Sequence, residues 1–182
     1  MKTFVVLASG TGSNFLAISK ACIDKRIDGH VELLIVNKKS AGAVEKAEMM
    51  GVKYAYNDFK NIDSVIHTIN EINPDLIFLA GFMKILPEKF IKAFENKIIN
   101  VHPSILPKYK GLHAVERAME DGEKEIGATI HYVDTGVDTG EIIMQEKFNI
   151  ENLTLDEVYE KLHKIEHSIY IKSIIKITEE RK

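Results

Sequence analysis

The feature that most restricts the fold of this chain is a repeated change of period. Short apolar runs of strand character take turns with longer stretches whose apolar residues recur every three or four positions. Thr3 to Ala8 is the first such run, and Gly10 and Gly12 follow it. Asn14 to Arg26 then carries Phe15, Ile18, Ala21 and Cys22 at helical spacing. His30 to Val36 reads as a strand, Ser40 to Met50 as a helix stopped at Gly51, and Val52 to Tyr56 as a short strand. Asn61 to Ile72 sets Ile62, Val65, Ile66 and Ile69 on one helical face. Pro74-Asp75 opens the apolar strand Leu76 to Ala80, Pro87 to Phe94 is a short helix, and Lys97 to Val101 is the next strand. Such alternation predicts an α/β fold with a doubly wound, mostly parallel sheet. The near-continuous apolar strands fit a sheet covered on both faces.

The second half changes character. Leu112 to Glu120 reads as a helix ending at Gly122. Ala128 to Val133 and Ile142 to Phe148 read as strands joined by a turn rich in Asp and Gly, an antiparallel hairpin added near the C-terminus. Thr154 opens a long helix with Leu155, Val158, Leu162, Ile165 and Ile169 on its buried face. With no repeat, linker or low-complexity stretch, one domain over residues 1–182 is expected.

Composition narrows the function class. A formal charge of −3 argues against general nucleic-acid binding. Cys22 is the only cysteine, so neither a disulfide framework nor a cysteine zinc site is expected. No apolar run approaches the length of a membrane span. Met1 to Leu7 carries one positive charge and runs straight into a Gly-rich turn, which reads as a strand rather than a signal peptide. The expected location is cytoplasmic.

Three stretches carry chemistry. In Asn100-Val101-His102-Pro103-Ser104-Ile105-Leu106-Pro107, Asn100 and His102 share a face of an extended backbone. An amide donor and an imidazole there could hold an oxygen that turns negative during a reaction. On these residues alone, a plain strand terminus with a satisfied Asn and a surface His is the simpler reading. The loop Ser9-Gly10-Thr11-Gly12-Ser13-Asn14 joins the first strand to the first helix. Its backbone could cradle one small anion, with Ser13 and Asn14 adding donors, or it could be a tight turn with a Ser/Asn cap. It is not a dinucleotide loop, because Phe15 replaces the third Gly and the second strand ends in Val36-Asn37. In Asp134-Thr135-Gly136-Val137-Asp138-Thr139-Gly140, a calcium loop fails at Thr139 and Gln145. That leaves a hairpin turn, or a carboxylate aimed at His102 that would raise its pKa and keep it charged at neutral pH. His30, His67, His113, His131, His163 and His167 form no metal-spaced cluster and read as structural or solvated. His163 and Glu166 lie near one another on the last helix. Leu79 to Leu86 could line a pocket for a flat heterocycle or belong to the core.

Taken together, these motifs resemble phosphoribosylglycinamide formyltransferase, a folate-dependent formyltransferase family of purine synthesis. The resemblance runs from about residue 3 to residue 170. It is carried by Ser9 to Asn14, Leu79 to Leu86, Asn100 to Pro107, Tyr109-Lys110-Gly111-Leu112-His113, Gly127 to Val133, Asp138 to Ile142, and Glu166 to Tyr170. It implies a Rossmann-like formyltransferase fold and transfer of a formyl group from 10-formyltetrahydrofolate to the amine of glycinamide ribonucleotide. Asn100, His102 and Asp138 would form the catalytic set. Gly12, Ser13 and Asn14 would hold the phosphate of the ribonucleotide, with His163 and Glu166 nearer its sugar and amine. Met83, Lys84, Ile85 and Leu86 would line the folate pocket, together with Asn100 and the loop Asp134, Thr135, Gly136, Val137 and Asp138. No metal and no covalent intermediate is implied.

The partners implied are small molecules rather than nucleic acid or membrane, and a homodimer stays open. Many relatives carry an Arg for the folate tail where this chain reads Asn57-Asp58-Phe59-Lys60-Asn61, making Lys60 a displaced substitute. The end of the chain soon after Tyr170 suggests a trimmed C-terminus. Methionyl-tRNA formyltransferase, formyltetrahydrofolate hydrolase and sugar-nucleotide formyltransferase share parts of the pattern. The first would need a tRNA-binding domain and a basic face, the second has no use for a phosphate loop, and the third needs room for a larger sugar. A folate- or phosphate-binding module without activity is the non-enzyme alternative.

Overall fold

Alternation along the first strand, β1 (Lys2–Ala8), sets up the two layers of the molecule. Phe4, Val6 and Ala8 point into one apolar cluster and Val5 and Leu7 into the other, all five without solvent contact. A strand with no polar face must lie inside a sheet covered on both sides. The computed structural model describes residues 1–180 and places β1 inside that sheet, between β2 and β4. The other strands are β2 (Gly29–Val36), β3 (Lys53–Tyr56), β4 (Leu76–Leu79), β5 (Ile98–His102), β6 (Glu125–Tyr132) and β7 (Ile142–Asn149). The sheet has seven strands in the order β3-β2-β1-β4-β5-β6-β7. The first five are parallel, and β6 and β7 add an antiparallel hairpin beside β5.

Helices α1 (Ser13–Ile23), α2 (Ala43–Met50), α5 (Ala114–Glu120) and α6 (Leu155–Glu180) contribute to the cluster on one face. Helices α3 (Ile62–Ile72) and α4 (Glu88–Ala93) pack on the other. Local chemistry sets their ends. Gly51 closes α2 in the left-handed conformation, and the Asn61 side chain accepts from Ser64 N–H at the start of α3. Thr154 and Glu157 form a reciprocal capping box at the start of α6: the carboxylate accepts from Thr154 N–H at 2.8 Å and the hydroxyl from Glu157 N–H at 3.4 Å.

Most elements fall within three residues of the sequence-based expectation. The consequential difference is at β5, which runs on through His102. Both Asn100 and His102 are therefore held by ladder bonds to β6 rather than by a loop. Among the described residues, no helix is long and apolar enough to cross a membrane.

Candidate functional site

After β3 the chain returns to the other side of β1, so β1 and β4 flank the point where strand order reverses. Open α/β sheets bind ligands beyond the carboxyl ends of strands at such a point. Two loops meet there. Ser9 N–H donates to Gly81 carbonyl at 3.1 Å, and Ser9 Oγ accepts from Met83 N–H at 2.7 Å. Ser9 thus ties the Gly-rich loop to the Met83 segment, a role no spacing in the sequence signals. Gly12 adopts φ +77°, and a Cβ there would lie 2.6 Å from Cα of Ala43. Only glycine lets this loop settle against α2. Gly12 also caps α1 without any side-chain bond, so the Ser/Asn cap of the alternative reading does not form.

Asn14 departs from expectation as well. Its Nδ2 donates to Glu166 Oε2 at 3.1 Å, joining α1 to α6, while its Oδ1 is buried without a partner. One of the two amide N–H groups is thereby used within the protein. Glu166 is itself buried. That burial raises its pKa, against the Asn14 bond and the nearby His163, which lower it. His163 stacks loosely on Tyr159, ring centroids 6.1 Å apart.

The second group lies at the end of β5. His102 Nδ1 is 3.3 Å from Asp138 Oδ2, as the carboxylate-to-imidazole expectation required. Asp138 reaches it from a left-handed backbone, φ +50°, in the turn between β6 and β7. Asp134 shapes that turn, its Oδ1 accepting from Gly136 N–H at 3.1 Å and from the Thr139 hydroxyl at 2.6 Å. His102 Nε2 is 2.8 Å from the carbonyl of Tyr109, and Gly111 N–H donates to Asp138 Oδ2 at 2.8 Å.

His131, expected to be structural or solvated, joins this group. It is the Cα partner of Asn100 across the β5–β6 ladder. Its Nδ1 lies 2.8 Å from its neighbour's carbonyl, Tyr132 O. With the proton on Nδ1, Nε2 is an acceptor for Asn100 Nδ2 at 3.2 Å, which turns the Asn100 amino group inward. Asp138 Oδ1 stands 3.6 Å from the same nitrogen. Four side chains from three separate segments thus converge.

Charge in this group follows burial and neighbours. Burial works against the Asp138 carboxylate, but the His131 ring beside it, the Gly111 N–H and, once His102 is protonated, the charge on that ring prevail and hold it down at about 2. The outcome at His102 is opposite to the sequence expectation. Burial is the largest influence and pushes the imidazole below its ordinary value. The Tyr109 carbonyl and Asp138 oppose this, and His131 and Arg117 add to it. The resting pair is a carboxylate beside a neutral imidazole.

The remaining candidates split. Met83 and Ile85 are 68% and 84% exposed on the loop after β4, and Val137 is half exposed in the β6–β7 turn. Leu86, grouped with them from sequence, is buried in the cluster under α3 and α4. Lys84 Nζ donates to the carbonyl of Asp58 at 2.5 Å, and Lys60 Nζ lies 3.4 Å from the Asp58 carboxylate. Both lysines therefore gather at Asp58. Among the described residues, no group of three or more His, Cys, Asp or Glu side chains is arranged for a metal ion.

A parallel sheet with this reversal point and an amide, imidazole and carboxylate at its edge suits chemistry on a carbonyl carbon. Comparison with known proteins gives that class its name: the chain belongs to the formyl transferase family, whose model matches residues 2–174. Its relatives are more specific. Phosphoribosylglycinamide formyltransferase of Bacillus subtilis (strain 168) is 38% identical over 184 residues, covering 97% of this chain and 94% of the relative. The Escherichia coli (strain K12) protein of the same name is 37% identical over 174 residues, covering 91% and 82%. The crystal structure of phosphoribosylglycinamide formyltransferase from Bacillus halodurans superposes with a TM-score of 0.95 at 34% identity, covering 100% of this chain and 97% of that one.

Proposed function

We propose that this formyl transferase moves the formyl group of 10-formyltetrahydrofolate to the amine of 5'-phosphoribosylglycinamide in purine biosynthesis. The observation that carries the reading is the His102–Asp138 pair beside the inward-turned amide of Asn100, at the carboxyl edge of the sheet. The backbone of Gly12 to Asn14 would take the phosphate. Glu166 and His163 would take the sugar and amine end. Met83, Ile85 and the Asp134–Asp138 turn would hold the pterin of the folate, with Lys60 and Lys84 near its acidic tail. Leu86 would support that pocket from beneath.

The chemistry follows from the charges. The free amine attacks the formyl carbon, the carbonyl becomes a tetrahedral oxyanion, and the attacking nitrogen becomes cationic. Asn100 has a second amide N–H for the oxyanion. Neutral His102 accepts the proton released as the amine adds. The imidazolium so formed has an oxygen acceptor at each nitrogen, Tyr109 carbonyl and Asp138, and lies beside the new negative charge. Its charge therefore appears when the transition state needs it, which is differential stabilisation. The proton then goes to the departing folate nitrogen, directly or through water.

The test is turnover of 10-formyltetrahydrofolate with and without glycinamide ribonucleotide, in the wild type and in His102→Ala. Folate product should depend on the ribonucleotide and fall in the variant by about a hundred- to a thousandfold, typical of losing one such group. Product without the ribonucleotide would mean a hydrolase. No product in either case would mean a binding protein or another acceptor.

A further inference from the structure

The segment between β5 and α5 makes two contacts to the candidate catalytic pair, and both are from its backbone. Tyr109 carbonyl meets His102 Nε2, and Gly111 N–H meets Asp138 Oδ2, each at 2.8 Å. Backbone groups hold a fixed direction only if the segment itself is held. This one is conformationally costly: Tyr109 and His113 both have φ +55°, and Gly111 has φ +77°. Side chains with a Cβ do not rest in that region unless surrounding contacts require it.

Three of those contacts come from one residue. Arg117, in the last turn of α5, donates through Nη2 to Lys110 carbonyl at 2.6 Å and through Nε to His113 carbonyl at 3.3 Å. Its guanidinium carbon also lies 5.8 Å from the centre of the Tyr109 ring. From its far end, the Tyr109 hydroxyl is near Asp121 Oδ2 at 2.9 Å and Glu123 Oε1 at 3.1 Å. The planar fork of Arg grips two carbonyls and a ring face at once, which a lysine ammonium cannot do with the same geometry.

We infer that Arg117 is a positioning residue for His102 and Asp138, acting through the backbone of residues 109–111, which it clamps over them. The clamp keeps the Tyr109 carbonyl against His102 Nε2. That places the single proton of the neutral ring on Nε2 and turns Nδ1 toward Asp138, ready to receive the second proton. The inference rests on the proposed role of His102, but the geometry it concerns is present without substrate.

The sign of the effect separates a clamp from a simple charge. Four groups face His102: the Tyr109 carbonyl and Asp138, which favour its charged form, and His131 and Arg117, which oppose it. Acting only through its positive field, Arg117 would lower the proton affinity of His102, and removing it would raise that affinity. As the clamp, its removal frees the Tyr109 carbonyl, a stronger influence on His102 than the Arg117 field, and the affinity falls.

The experiment is a titration of the His102 ring by long-range proton–nitrogen NMR in the wild type, Arg117→Ala and Arg117→Lys, with the signal assigned by its loss in His102→Ala. Both Arg117 variants should titrate at lower pH than the wild type, by about half a pH unit or more, with a mixture of tautomers replacing the single Nε2–H form. Their kcat should fall about ten- to a hundredfold with KM for either substrate little changed, as for misplaced groups that still bind. An unchanged titration and kcat in both variants would overturn the inference. So would a midpoint that rises in Arg117→Ala while Arg117→Lys behaves as wild type, since charge alone would then suffice. Should Arg117→Ala fail to fold, Arg117→Lys decides alone. Because the titration needs no turnover, a wild type inactive on the ribonucleotide would count against the proposed function and leave this test standing.

Discussion

Replacing Asp138 with Asn should cost the protein stability at neutral pH and almost none in strong acid. The Asp138 carboxyl titrates at about 2 in the folded chain against an ordinary 3.8. A tenfold change in proton affinity is worth about 1.4 kcal/mol, so the difference amounts to about 2.5 kcal/mol at most. The side chain keeps 13% of its surface in water, and screening there trims the figure to about 1–2 kcal/mol. The sign follows from linkage. A carboxyl depressed on folding stabilises the native state fully above its unfolded value and loses that contribution as pH falls through the folded one. The assay is urea unfolding of wild type and variant at closely spaced pH values from 7 down to 2. The stability gap should be steady above about pH 5 and close between about pH 4 and 2. A gap that stays constant through that window, or a variant more stable than wild type at pH 7, would refute the claim that Asp138 is held charged by His131, Gly111 and His102.

Other perturbations test other parts of the structure. Tyr170→Phe removes a fully buried hydroxyl that bonds the carbonyls of Ile99 at 2.9 Å and Leu79 at 3.2 Å. It should cost about 1–3 kcal/mol, read by calorimetry as a Tm lower by several degrees. Gly140→Ala puts a Cβ 1.8 Å from the carbonyl oxygen of Tyr132, which is backbone and cannot step aside. The β6–β7 turn should shift, with a stability loss of about 1–3 kcal/mol and a larger loss of turnover than a remote site of equal cost. Glu166→Gln should raise stability at pH 7, because burial disfavours the carboxylate and that cost vanishes only as pH drops below its unfolded value of 4.5. The same variant should raise KM for the ribonucleotide amine in steady-state kinetics.

Much of the frame is legible in the sequence because it rests on local signals. A short unbroken apolar run against a period of 3.6 separates Thr3–Ala8 from Asn14–Arg26, and Gly51 and Asn61 mark helix ends by chemistry confined to a few residues. Asn100 and His102 are legible as a pair because one strand carries both. What depends on register across the sheet is not legible. His131 meets Asn100 only because β6 pairs antiparallel with β5 at one offset, 31 residues away in sequence. The Asn14 bond to Glu166 spans 152 residues, and no local pattern announces it. The His102 proton affinity fails for a different reason. Sequence supplies the carboxylate partner, but the loss of water that outweighs it is a property of the packed site. Tyr109 enters through its carbonyl, and no side-chain pattern records where a carbonyl points.

Tyr170 fastens α6 to the carboxyl ends of β4 and β5, bonding Ile99 immediately before Asn100. Glu166 lies one helical turn earlier on the same face and is tied to Asn14, two residues beyond Gly12. These bonds make the Gly-rich loop, the buried carboxylate and the end of β5 a single measuring frame. The span from Gly12 to Asn100 is then set by covalent and packed distances rather than by a ligand. On the proposed reading, such a frame gauges the acceptor by length: a molecule with the right groups one atom too short or too long would be held at both ends and still miss the formyl carbon.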